Sequence, residues 1–82
     1  PTATLLFPVV HEVFEEKRLQ YSPNKVSFKI EISPDAKMIF AAIQEDELKR
    51  TLSNLIDNSV EASADAVFVK LFVEQRNIII SI

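Results

Sequence analysis

From Val26 to Ile32 the chain alternates apolar and polar residues without a break. Val26, Phe28, Ile30 and Ile32 fall on one face and Ser27, Lys29 and Glu31 on the other, as in a strand with one buried side. Upstream, the short β-like start "TATLLF" leads to Pro8, which suits the first position of a helix because its missing N–H would have been unpaired there anyway. Val9, Val10, Val13, Phe14 and Tyr21 then recur at helical spacing, with Glu12, Glu15, Glu16 and Arg18 on the opposite side, so an amphipathic helix is predicted up to the turn residues Ser22, Pro23 and Asn24. "SPDAK" ends the alternating strand. "MIFAAI" is apolar and short; a second strand is the favoured reading, although six residues also fit a helical turn.

From Gln44 the period changes again. Leu48, Leu52, Leu55, Ile56 and Val60 form one stripe of a helix running to about Ala62. Glu45 before Lys49 and Asp46 before Arg50 are acid-before-base pairs at i, i+4, and Glu45, Asp46 and Glu47 place negative charge in the first turn, where the helix dipole favours it. "AVFVKLFVEQ" and "NIIISI" read as two strands joined through Gln75, Arg76 and Asn77, most simply an antiparallel hairpin. The order is strand, helix, strand, strand, helix, strand, strand. Such a chain is expected to make a two-layer α/β sandwich, with both helices on one face of a mixed sheet and Leu48, Leu52, Leu55 and Ile56 buried between the layers.

Composition narrows the function classes. With 82 residues the chain holds one small domain with a modest core. A net charge of −3 and no Lys/Arg cluster argue against nucleic acid as the partner, since phosphate backbones require concentrated positive charge. No cysteine is present, which removes disulfides and thiolate metal sites, and one histidine cannot build a His-based metal centre. No segment reaches the length of a membrane span and the N-terminus lacks a signal-peptide pattern, so a cytoplasmic location is expected, with a membrane anchor elsewhere in a parent protein left open. Glycine is absent altogether. Loops that approach phosphates need glycine for positive φ and close backbone approach, so this chain is not expected to carry its own glycine loop. Together with an apolar run that stops at Ile82, this points to a piece of a larger domain.

The polar side of the second helix carries Asn54 and Asn58, about 40° apart at helical spacing, with Glu47, Thr51 and Glu61 nearby. Asparagine is a mediocre helix former because its amide competes for backbone groups, so two of them one turn apart call for either solvent or a ligand. On spacing alone, a solvated face explains them. The wider segment "EDELKRTLSNLIDNSVEAS" resembles the N-box of the GHKL superfamily, the Bergerat-type ATP-binding fold of sensor histidine kinases, type II topoisomerases and mismatch-repair ATPases. Leu48, Leu52, Asn54, Leu55, Asn58, Ser59 and Ala62 fit the sensor-kinase form of that box, and the flanking elements fall in the order the family has.

The resemblance implies that Asn58 is a ligand of Mg²⁺ and that Asn54 supports phosphate or metal-bound water one turn earlier, with Glu61 adjoining the nucleotide. An asparagine carbonyl gives a hard cation an oxygen without adding negative charge beside a triphosphate. Hydrolytic relatives commonly carry glutamate at the first position as a general base; Asn54 cannot deprotonate water, which favours a histidine kinase over a hydrolytic or serine-kinase member. The implied partners are ATP, the dimerisation and phosphoacceptor domain of the same kinase, and a response regulator downstream. Two positions depart from the family: Glu61 stands where a basic or aromatic residue is common, and Gln44 where aspartate often caps the helix. The family's adenine-recognising D-x-G-x-G segment, lid and second glycine box do not occur within residues 1–82, so these residues are expected to form the N-terminal part of the ATP-binding domain, to contain no catalytic residue and to be inactive alone. An exposed "NIIISI" edge would favour chain-to-chain strand pairing.

Other residues carry less. His11 is followed by Glu12 as in a phosphoacceptor box, but Phe14 and the absence of a following basic residue and proline break the match, and an ordinary helix position is expected. Phe28, Phe68 and Phe72 lie on strand patterns and are expected in the core or on the sheet surface. A non-catalytic α/β interaction module is the alternative of a different class.

Overall fold

A computed structural model describes residues 3–62, 65–74 and 77–81 of the chain. The elements are β1 (Thr4–Leu5), α1 (Leu6–Gln20), β2 (Ser27–Ile32), β3 (Phe40–Ala41), α2 (Glu45–Glu61), β4 (Ala66–Glu74) and β5 (Asn77–Ser81), with 3-10 turns at Ser22–Asn24 and Pro34–Ala36. The predicted order of strands and helices is the observed order.

The strands divide into two sheets. β2, β4 and β5 form a mixed sheet with β4 in the middle, parallel to β2 and antiparallel to β5, while β1 and β3 form a two-residue antiparallel pair of their own. Register decides which side is buried. Phe28, Ile30 and Ile32 sit opposite Val67, Val69 and Leu71, so the apolar face of β2 continues the apolar face of β4. Ile80 and Ile78 fall at the registers of Leu71 and Val73, and the predicted hairpin is formed; its turn residues Gln75 and Arg76 lie outside the described residues. A parallel β2–β4 pair requires a crossover, and this one contains β3 and α2.

Both helices cover that apolar face. The core joins Val10, Val13 and Phe14 of α1, Leu48, Leu52 and Ile56 of α2, and Val67, Val69 and Leu71 of β4. On the other side of the sheet Phe68 is exposed, with the Lys70 ammonium 4.8 Å from its ring centre. The two-layer α/β architecture expected from the sequence is therefore present.

Three local expectations change. α1 begins at Leu6, two residues before Pro8, because the Leu6 N–H has a partner in the Ile39 carbonyl at 3.0 Å; Pro8 still falls in the first turn, where its missing N–H would have found no intrahelical acceptor. Of "MIFAAI" only Phe40 and Ala41 pair, since the Ile39 N–H is taken by the Ala36 carbonyl in the preceding turn. Leu55, expected in the core, is 47% exposed, whereas Ile56 is 1% exposed. Stepping around α2, Leu55 lies about 20° from Leu48 on the side away from Lys49. α1 packs on the Lys49 side, where Lys49 reaches Glu12 at 3.2 Å, so the buried arc is displaced toward α1 and leaves Leu55 at its outer edge.

Candidate functional site

The second helix is held from below by Leu48, Leu52 and Ile56, and its start is fixed more by charge than by a cap. Gln44 occupies the N-cap in extended conformation and makes no side-chain capping bond, while Glu45, Asp46 and Glu47 fill the first turn. Glu45 pairs with Lys49 at 3.4 Å; Asp46 and Arg50 are not among the ion pairs of the described residues.

Asn54 and Asn58 are both exposed, on the flank of α2 that turns away from α1. No side-chain hydrogen bond among the described residues uses either amide. Thr51 and Glu47, also exposed, extend the row toward the N-terminus of α2, and Glu61 lies exposed at its last position. Leu55 borders the row on its core side. The row thus offers two uncommitted side-chain amides one helix turn apart, their Cβ atoms about 6 Å from each other, both carried by a helix packed on the core. Among the described residues no group of three or more acidic or histidine side chains could hold a metal ion. A divalent cation seated on this row fits only as an ion shared with phosphate oxygens and water, which is how Mg²⁺ is usually held beside a nucleotide.

Between the two asparagines stands Asp57, on the flank facing α1. Its carboxylate accepts hydrogen bonds from Lys17 Nζ at 2.8 and 3.0 Å and from the Tyr21 hydroxyl at 2.6 Å. Lys17, which also donates to Gln20 Oε1 at 3.1 Å, is only 5% exposed. Partial burial works to raise the Asp57 pKa, but the bonds from Lys17 and Tyr21 and the Lys17 charge outweigh it and hold the carboxyl below its usual value. The same bond to Asp57, followed by desolvation and the negative charges of Asp57 and Glu61, pushes the Tyr21 phenol up to about 12. Sequence reading misses this trio. The available signal is Lys17 itself, which shares the apolar face with Val10, Val13, Phe14 and Tyr21, where a lysine is out of place unless paired.

Elsewhere, a cavity of about 440 Å³ at the end of β2 is lined by Glu31, Ile32, Ser33, Pro34, Lys70, Leu71 and Phe72. Glu31 and Lys70 oppose each other in register, and no residue of the amide row reaches it. With one acidic and one basic side chain in its lining, the cavity carries no net positive charge that would draw an anion. His11 is exposed on α1, its ring tilted against Phe7 at 5.9 Å. Phe28 is half-buried between Phe14 and Tyr21, and Phe68 lies on the outer sheet surface, as expected of strand phenylalanines. Among the described residues no helix is long and apolar enough to cross a membrane.

Compared with protein-family models and with curated proteins, the sequence matches none. Among solved structures, it is similar to the catalytic domain of the histidine kinase ThkA in a nucleotide-free form, with a TM-score of 0.67 and 20% sequence identity over 85% of this chain. The chain spans about half of that protein's length, 46%. At this identity the likeness establishes the fold: the α/β arrangement is that of a histidine kinase catalytic domain.

Proposed function

We propose that residues 1–82 are the N-terminal part of the Mg-ATP-binding catalytic domain of a sensor histidine kinase, with Asn58 as metal ligand and Asn54 as its support. The observation that carries this reading is the uncommitted amide row on α2 in a chain with the fold of a histidine kinase catalytic domain. A solvated face would account for the exposure, but not for two poor helix formers one turn apart in a chain that shares its fold with the catalytic domain of a histidine kinase.

Mg²⁺ held by Asn58 would supply charge neutralisation on the phosphates of ATP, the chemistry that phosphoryl transfer to a histidine of the dimerisation domain calls for. The chain's own residues do simpler work. Asn58 presents a neutral carbonyl oxygen at the rim of α2; Asn54 stands one turn earlier and orients phosphate or water without acting as a base. Leu48, Leu52 and Ile56 hold α2 against the core. Glu61 adds negative charge at the end of the row, which favours a cation there over a direct phosphate contact. On this reading the adenine pocket, lid and glycine-rich boxes are not supplied by residues 1–82, and a response regulator would accept the phosphoryl group afterwards.

The test is Asn58→Ala in the full-length protein. The side chain is exposed, so stability should move by no more than about 0.5 kcal/mol. Loss of a ligand to a charge-neutralising metal removes several kcal/mol of transition-state stabilisation, so transfer of labelled phosphate from ATP to histidine should be abolished. Asn54→Ala should be milder. Near-wild-type transfer by Asn58→Ala, or a loss only in proportion to lost folding, would overturn the assignment.

A further inference from the structure

Lysine and aspartate in partly buried pairs are an uneconomical way to hold two helices together. The desolvation of both ions consumes most of their attraction, and apolar residues of similar volume often replace such a pair with no loss of stability. Yet Lys17, 5% exposed, spends three hydrogen bonds at the α1–α2 junction, two of them on Asp57. Tyr21 adds a bond of 2.6 Å to the same carboxylate, and its ring stacks on Phe28 of β2 with 12° between planes and 6.3 Å between centres. Asp57 is thereby tied to both α1 and the sheet.

What these bonds provide is direction. The apolar contacts of Leu48, Leu52 and Ile56 resist removal of α2 from the core but have little angular preference, because hydrophobic attraction is non-directional. Hydrogen bonds do have one, and weaken steeply when misaligned. A carboxylate held by two donors at the C-terminal end of α1, one of them stacked on the sheet, therefore fixes the rotation of α2 about its own axis. Asp57 adjoins Asn58 in sequence and lies about 60° around the helix from Asn54. With side chains, a helix has a radius of about 5–6 Å, so a rotation of about 10° moves a rim atom by about 1 Å.

We propose that Lys17, Asp57 and Tyr21 are positioning residues for the amide row, fixing the azimuth at which Asn54 and Asn58 meet metal-bound nucleotide. This rests on the functional reading above. Misplacement of a reacting group by about 1 Å costs up to about 10²-fold in rate, and outer-shell partners of metal ligands typically contribute about 10–100-fold.

The decisive variant is the apolar pair Lys17→Met/Asp57→Leu in the full-length protein, with Asp57→Asn and Tyr21→Phe beside it. Thermal melts, Mg-dependent binding of a fluorescent ATP analogue, and the kcat and KM of histidine phosphorylation are measured at a temperature where every variant is folded. The double variant should melt at or above the wild-type temperature and yet lose about 10–100-fold in kcat or metal-dependent affinity. Tyr21→Phe should fall between it and the wild type. Retention of wild-type kinetics by the double variant would overturn the positioning role and leave the functional reading intact, as would a loss that merely follows melting temperature. A wild-type protein that binds no Mg-nucleotide would overturn the functional reading itself, and the positioning role with it.

Discussion

Truncating Leu55 and Ile56 separately tests where α2 faces. The two residues are neighbours in sequence and equal members of the apolar stripe, but Ile56 is 1% exposed and Leu55 47%. Ile56→Ala removes three carbons from a closed space between Leu52, α1 and β4, so the transfer loss is joined by a cavity, and such changes cost about 2–5 kcal/mol. Leu55 is half in water already. Half of the roughly 1.5–3 kcal/mol for full burial of a leucine is about 1 kcal/mol, with no enclosed void to add. Alanine's higher helix propensity trims both figures slightly. In a domain of this size each kcal/mol moves the melting temperature by about 4–8 °C, so Ile56→Ala should fall by about 10 °C or more and Leu55→Ala by well under that. Urea titrations followed by circular dichroism would give both costs, with unchanged m-values showing that the unfolding reaction is the same. Equal costs, or a larger one for Leu55, would refute the arrangement. α2 would then be turned toward Leu55, and Asn58, about 60° further round on that side, would be carried toward the core and away from any ligand.

Further expectations concern charge. The Asp57 carboxyl is held below its ordinary 3.8, so its contribution to stability is complete above that pH and is lost as pH falls through the lower folded value; Tyr21→Phe removes one of the bonds holding it down and should raise the Asp57 carboxyl in an NMR titration. Tyr21 has the opposite sign. With its folded value raised from 10.0 to about 12, its contribution is complete below pH 10 and lost as pH rises through about 12, and phenolate absorbance should show this single tyrosine ionising late in the folded protein and normally in Asp57→Asn. Lys49 is raised mainly by its bond to Glu12, and both groups face solvent, so Glu12→Gln should lower the melting temperature at low ionic strength and have no effect near 1 M salt, where the Debye length is about 3 Å; an effect that survives high salt would contradict a screened surface pair.

The parts of this molecule that were legible from sequence are those written in local periodicity. Strict alternation from Val26 to Ile32 sufficed for β2 because one buried face leaves no other register, and the Leu48, Leu52, Ile56 spacing sufficed for α2. The amide row was legible too, since exposure at Asn54 and Asn58 follows from their angle to that stripe, although only the resemblance gave the pair a chemistry. What failed depended on a second element. Leu55 and Ile56 are separated by which side α1 occupies, the start of α1 by a carbonyl on Ile39, and the extent of β3 by a turn that takes its first N–H.

The Lys17–Asp57 bond is the plainest case. Its partners are 40 residues apart, and in a periodicity count Lys17 merely interrupts an apolar face while Asp57 merely decorates a polar one. Periodicity gives a stripe its width and approximate bearing. It cannot set the last ten degrees or so, because apolar contacts are nearly indifferent to them. Those degrees come from directional bonds between distant residues. On the proposed reading they also decide whether an amide oxygen at the rim of α2 stands where a metal-bound phosphate would need it, since at that radius about ten degrees is about an ångström. In this chain the feature hardest to read from sequence is therefore the one on which the precision of the proposed site rests.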